Sequence, residues 1–254
     1  MSVRAETDDR ARTRREVVSF VRRSARLTTH QRLAWDRYAS RWVIDVPHAD
    51  TETSIAPGFS LDLAAEFGRT APLIVEIGSG MGGSLVGLAT ARPEANLLAF
   101  EVYQPAVAAT LVTLARAGAD NVRLVQANAV DGLTTVLPEC SIDELWLFFP
   151  DPWPKARHHK RRLVRPTFVD LAASRLRPGA LWRLATDAEH YARQMRRHLD
   201  ASTDLVNVHP VDETLPGEEH HGWAPRWAER PVSRFEERAQ QAGRRVYELT
   251  FQRR

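Results

Sequence analysis

An α/β fold, with a mostly parallel seven-stranded sheet, an antiparallel last strand and helices on both faces, is the architecture this sequence predicts. Three observations lead there. From residue 73 to residue 199, short apolar runs alternate with segments of helical length, a pattern that implies βαβ crossovers and parallel strands. A glycine-rich turn at 78–83 follows the first apolar run and opens a helix. Near the carboxyl end the alternation breaks into a strand, a long loop, a helix and a final strand. A late strand reached in that way enters the sheet edge antiparallel.

The elements follow in order. Residues 1–29 are polar, without clear periodicity, and are expected to form a basic, partly flexible arm ahead of a single domain at 30–254. A helix is expected at 29–42, with Leu33, Trp35, Tyr38 and Trp42 as its apolar contacts. Residues 47–57, bounded by prolines, read as loop. Strands are expected at 73–77, 96–101, 122–126, 142–149 and 180–185. Helices are expected at 84–91, 105–117 (stopped by Gly118), 130–137, 166–176 and 189–199. The carboxyl end adds a strand at 204–209, a Pro/Gly/His-rich loop at 210–231, a helix at 233–242 and a strand at 244–251.

Composition narrows the class. At 254 residues, 43% hydrophobic and 26% charged, the chain suits one large globular α/β domain. No apolar run reaches the roughly 20 residues needed to span a bilayer, so no membrane partner is expected. The polar start at 1–15 lacks an apolar export core, which points to the cytoplasm. Cys140 is the one cysteine, consistent with a reducing compartment, and reads as a small buried hydrophobe.

The net charge of +3 hides a segregated distribution. Residues 60–150 carry four arginines, no lysine and ten carboxylates, whereas residues 1–41 carry eleven arginines against five carboxylates. Residues 155–165 hold six cations and no acid, and residues 226–254 hold eight arginines against four glutamates. Each cluster alone reads as solvated surface; three together point to a polyanion such as nucleic acid.

Two stretches carry the chemistry. In the first, Glu76 stands two residues before the G-x-G-x-G formed by Gly78, Gly80 and Gly82. Glycine allows positive φ and close approach of a ligand to the backbone, and amides at the helix start attract anionic groups. Glu101, at the end of the second strand, is placed to hold ribose hydroxyls. The glycine spacing departs from the dinucleotide pattern, and a carboxylate at 76 repels a pyrophosphate but suits an ammonium. The residues therefore favour S-adenosylmethionine over NAD. Asn128, after the third strand, reads either as an adenine contact or as an ordinary strand-end turn residue.

The second stretch, L-F-F-P-D-P-W-P-K at 147–155, runs into A-R-H-H-K-R-R at 156–162. Asp151 lies at the carboxyl end of a strand, where open α/β sheets place ligand chemistry. Pro150 and Pro152 stiffen its loop. Trp153 offers a stacking face for an unstacked base, and Lys155, Arg157, Lys160, Arg161 and Arg162 offer charge to phosphates. The pairs His158–His159 and His220–His221 do not make a metal site, because adjacent side chains diverge and no cysteine joins them. Asp187 ends the fifth strand on the same rim as Asp151. Ser233 and Glu236 have capping-box spacing, which by itself accounts for both.

Together these blocks resemble the bacterial tRNA (guanine-N7)-methyltransferase family, from about residue 19 to the end. The most specific parts are the 147–162 block, A-T-D at 185–187 and R-P-V-S-R-F-E at 230–236. The resemblance implies a class I Rossmann-like methyltransferase fold. It also implies methyl transfer from S-adenosylmethionine to N7 of guanine 46 in the tRNA variable loop, with no metal, in a monomer or homodimer. It places Glu76, Gly78, Gly80, Glu101, Asn128 and Asp151 at the cofactor, with Asp151 as the catalytic group. Lys155, Asp187, Ser233, Arg234, Phe235 and Glu236 fall to the guanine nucleotide. Two positions depart from the common pattern: Asn128 replaces Asp, and Ser233-Arg234 replaces Thr-Lys.

Overall fold

The computed structural model describes residues 26–211 and 221–254. Most of the expected arm (1–25) and part of the long loop (212–220, with His220) lie outside the described residues. The chain order is α1 (Thr29–Trp42), α2 (Leu63–Phe67), β1 (Leu73–Ile77), α3 (Gly83–Ala91), β2 (Asn96–Phe100), α4 (Gln104–Ala117), β3 (Val122–Val125) and α5 (Ala129–Asp131). There follow β4 (Ile142–Phe148), α6 (Pro166–Arg175), β5 (Leu176–Thr186), α7 (Glu189–Asp200), β6 (Leu205–Asn207), α8 (Arg234–Gln241) and β7 (Tyr247–Arg253).

The seven strands form one sheet in the order β3-β2-β1-β4-β5-β7-β6. Strands β1 to β5 are parallel, and β7 runs antiparallel to both β5 and β6. The expected architecture is therefore present. Strand β1 lies at the centre with all five residues buried, because both its faces are covered. Its alternation splits the core in two. Leu73, Val75 and Ile77 face one apolar cluster with Phe168 and Met195, while Ile74 faces a second with Trp42, Leu85 and Leu111. Burying side chains of the size of Ile74 and Phe100 contributes roughly 1.5–3 kcal/mol each.

Chain connections leave β1 toward β2 and β4 toward β5, in opposite directions along the sheet. The crevice beyond the carboxyl ends of β1 and β4 is the switch point where such sheets bind ligands.

Several local expectations need correction. Of the contacts expected of α1 only Leu33 fails, at 61% exposed: Trp42 is buried, Trp35 and Tyr38 pack half-buried on the same core, and Ala34 is buried as well. Trp42 Nε1 donates to the Ala119 carbonyl at 2.9 Å. Cys140 is exposed, in a left-handed turn at φ 50° between the turn at Gly132–Val136 and β4. The helix expected at 130–137 is one turn of α5 running into a π-helical turn at Gly132–Val136. There Gly132 lies under the Phe100 ring, where a Cβ would sit 2.4 Å from ring carbon. β5 begins at Leu176, where a helix end was expected, because Leu176 already pairs with Ile142 ahead of a register shift. The short helix α2 and a 3-10 helix at Ala156–Arg161 were not anticipated.

Candidate active site

Four carboxylates reach the carboxyl rim of the parallel strands. Glu76 is the fourth residue of β1, Glu101 follows β2, Asp151 follows β4 and Asp187 follows β5. The turn after β1 is built as its glycine spacing requires, with Gly78, Gly80 and Gly82 at φ 73°, 55° and 74°. Gly82 cannot be replaced, since a Cβ there would lie 2.5 Å from the Thr110 side chain. At Gly78 and Gly80 a Cβ would meet open space, so conformation alone demands glycine.

Glu101 ties this turn to the second strand. Gly80 N–H donates to Oε2 at 2.8 Å, and Tyr103 N–H donates to Oε1 at 2.9 Å. Each oxygen keeps a lone pair for a further donor. Burial raises the pKa of Glu101, the backbone N–H groups of Tyr103, Gly80 and Val102 oppose that rise, and the charge of Asp151 adds to it.

Glu76 is the most perturbed group of the rim. It is 3% exposed, and its Oε2 has no hydrogen-bond partner. Burial pushes its pKa up to about 8; the neighbouring Glu101 charge adds to the rise and Arg230 opposes it. A buried carboxylate without a partner is costly, and a cationic ligand would relieve it. Glu76, Glu101 and Asp151 therefore form a lining of carboxyl groups beside a backbone turn opened by glycine.

The Asp151 loop is held by strain and by one buried cation. Phe149 and Trp153, each followed by a proline, have φ of 50° and 42°. Non-glycine residues seldom enter that region, at about 1–3 kcal/mol each, unless the surroundings impose it. Phe149 N–H donates to the Ala185 carbonyl at 2.7 Å, extending the β4–β5 ladder to the turn. Arg162 imposes the rest. It is 2% exposed, its Nε donates to the Pro152 carbonyl at 2.8 Å, and its NH1 donates to Gln194 Oε1 of α7 at 2.5 Å. Arg162 is thus a strut inside the loop, correcting its expected place among the phosphate-facing cations. Lys155, Arg157 and Lys160 are exposed, as expected. Arg161 lies over the Trp153 ring at 4.0 Å, so one face of the indole already carries a cation.

The start of α8 stands against this loop, with Phe235 stacked on Phe149 at 6.1 Å and 16° between planes. Ser233 caps α8, its Oγ accepting from Glu236 N–H at 3.2 Å. The reciprocal half of the capping box is missing, which corrects the local account of Glu236. Its buried carboxylate accepts instead from Arg226 Nε at 2.6 Å and from Arg230 NH1 at 2.8 Å. The two arginines hold its pKa below the ordinary value in spite of burial.

Residues 70–249 match the family described as "Putative methyltransferase". A tRNA (guanine-N(7)-)-methyltransferase of Cutibacterium acnes is 52% identical over 95% of this chain and 85% of its own length. Proteins with the same name from Nocardioides (46%; 96% and 90%) and Yersinia enterocolitica (40%; 98% and 96%) align nearly end to end. The chain belongs to the tRNA (guanine-N7)-methyltransferase family.

In this methyltransferase, Glu76, Gly78, Gly80, Glu101 and Asp151 come together at the switch point, with Phe235 beside the Asp151 loop. Asn128 serves the fold locally. Its Oδ1 accepts from Asp131 N–H at 3.0 Å and its Nδ2 donates to the Thr53 carbonyl at 2.9 Å, capping α5. Asp187 pairs with Arg244 Nε at 2.9 Å. Arg234 is exposed at the first position of α8. Sequence reasoning overlooked Arg230, buried among the site elements. Its position inside the R-P-V-S-R-F-E block was the available clue.

Proposed function

We propose that this methyltransferase moves the methyl group of S-adenosylmethionine to N7 of guanine 46 in the tRNA variable loop, giving 7-methylguanosine and S-adenosylhomocysteine. The observation that carries the reading is the carboxyl lining of Glu76, Glu101 and Asp151 beside the glycine turn, in which Glu76 ionises when a cation binds. The orphaned Oε2 of Glu76 fits an ammonium, and the remaining lone pairs of Glu101 fit ribose hydroxyls. Names shared by relatives across almost the whole chain supply the substrate class.

Bound there, S-adenosylmethionine supplies an electrophilic methyl group on a cationic sulfur. Guanine N7 carries an in-plane lone pair and no proton, so no base is needed to free it. The product purine is positively charged, and a carboxylate near it stabilises that charge as it develops. Asp151 takes this part: it orients guanine and offsets the charge without accepting a proton. Its loop, pinned by Arg162 and strained at Phe149 and Trp153, keeps the carboxylate in place.

The remaining assigned residues surround the nucleotide. Phe235 offers its exposed ring beside Phe149, Ser233 and Glu236 shape the start of α8, and Asp187 and Arg234 flank it. Asn128 reaches the adenine edge with what its capping bonds leave of its amide. Lys155, with Arg157 and Lys160, meets phosphates. The N7 edge of a paired guanine lies in a groove too deep and narrow for side chains, so the target base is unstacked when it is modified.

The test incubates the protein with labelled S-adenosylmethionine and unmodified tRNA, then maps 7-methylguanosine by chemical cleavage. Label at a single guanine of the variable loop supports the reading; absence of transfer refutes it.

A further inference from the structure

Arg230 is a cation buried where α8, β7 and the Phe148–Phe149 turn meet. Its side chain has no exposed surface. NH1 donates to Glu236 Oε2 of α8 at 2.8 Å, and NH2 donates to Glu248 Oε1 of β7 at 2.5 Å. Its guanidinium lies 5.2 Å from the Phe148 ring centre and 5.4 Å from that of Phe149, the residue whose left-handed turn leads to Asp151. Arg226 closes the cluster, with Nε on Glu236 at 2.6 Å and NH2 on the Arg230 carbonyl at 2.7 Å. The next residue, Pro231, packs against α3, its ring 2.9 Å from where a Cβ of Gly87 would be.

We propose that Arg230 is a positioning residue, which holds the start of α8 in register with the Asp151 loop so that guanine meets the methyl donor in line. The inference rests on the function proposed above. An eight-residue helix such as α8 is marginal alone, so its place is set by tertiary anchors. Its first turn is anchored by the Phe235–Phe149 stack, by Arg226 and by the Glu236–Arg230–Glu248 bridge, of which only the bridge reaches β7. The planar guanidinium fork reaches two carboxylates on different elements while stacking on aromatic faces, which a lysine ammonium does not reproduce. Apolar residues of similar volume often match buried ion pairs in stability. The use of a buried cation here is therefore explained by geometry: α8, β7 and the Phe148–Phe149 turn are fixed to one planar group.

The test compares the wild type with Arg230→Lys and with the paired variant Arg230→Met/Glu248→Gln. In the paired variant Glu236 keeps Arg226 and residue 248 is neutral, so neither partner of the bridge is left charged and unpaired; Glu76 loses the pull of Arg230, and saturating S-adenosylmethionine removes that effect from the rate. Melting curves establish folding, and single-turnover transfer to tRNA is read at saturating S-adenosylmethionine. Misplacement of reacting groups by about 1 Å costs about a hundredfold, and a loss of that order is expected in both variants while they remain folded. A merely structural role predicts that the paired variant, once folded, recovers the wild-type rate. A folded paired variant within about threefold of wild type overturns the proposal. Should that variant not fold, Arg230→Lys decides by the same criterion. A wild type that methylates no guanine removes the underlying function, an outcome distinct from active wild type with unimpaired variants.

Discussion

With the ammonium of S-adenosylmethionine on Glu76, as proposed above, cofactor affinity depends on pH. Its carboxyl is 3% exposed with an orphaned Oε2, and burial together with the Glu101 charge lifts its pKa from 4.5 to about 8, against the pull of Arg230. A gap of that size corresponds to roughly 5 kcal/mol for ionising the group in the folded, ligand-free protein. The sign follows from the raised value. Between pH 4.5 and about 8 the unfolded chain has lost this proton while the folded chain retains it, so ligand-free stability falls as pH rises through that window. An ammonium binds the ionised form, so S-adenosylmethionine releases a proton on binding. Its affinity should rise about tenfold per pH unit up to about pH 8. Above that the ligand's own amino group, with a pKa near 8, begins to lose its charge, and affinity turns down. Calorimetric titration from pH 6 to 9, in two buffers of different ionisation enthalpy, measures both the affinity and the proton count. Close to one proton should be released at about pH 6.5. Glu76→Gln should bind weakly and lack the rising limb, and should melt several degrees higher than wild type at pH 7.5 without ligand. Wild-type affinity constant within about twofold from pH 6 to 8 would refute the reasoning.

Three further outcomes are expected. Asp151→Asn should lose most methyl transfer while keeping its fold and much of its cofactor affinity; near-normal turnover would remove the role given to its charge. Replacing Lys155, Arg157 and Lys160 together by glutamine should weaken tRNA binding and flatten its dependence on salt by roughly two to three in log–log slope. An unchanged slope would place the RNA elsewhere. Arg162→Met should lower stability by roughly 2–3 kcal/mol in urea unfolding, by stranding the Pro152 carbonyl and Gln194 amide it now satisfies. It should leave the salt slope of tRNA binding as it was, and a changed slope would restore Arg162 to the phosphate surface.

Local pattern exposed much of the fold and part of the site. The continuous apolar run of β1 marks a strand covered on both faces, and the spacing of Gly78, Gly80 and Gly82 marks three left-handed turns, because both are properties of adjacent residues. Glu101 was legible for the same reason, standing at a strand end a fixed distance from the glycines. Features set by distant partners were hidden. Arg162 sits in a run of cations and looks like surface, yet Gln194 and the Pro152 carbonyl draw it inside. Glu236 satisfies a capping rule on paper, but Arg226 and Arg230 claim its carboxylate. Leu33 keeps helical spacing yet is exposed, while Gln31, bonded to the Pro105 carbonyl at 3.1 Å, and Trp42, bonded to the Ala119 carbonyl, tie α1 down. The turn at Gly132–Val136 widens to a π-helix beneath Phe100, a contact 32 residues away in the chain.

The measurement that bears most directly on the central claim compares two unmodified tRNA transcripts, one with guanine and one with adenine at position 46, under labelled S-adenosylmethionine. The account predicts close to one methyl group per guanine-46 transcript, cleavage at that nucleotide alone, and no label in its adenine-46 counterpart. Equal labelling of the two transcripts, or none in either, would contradict it.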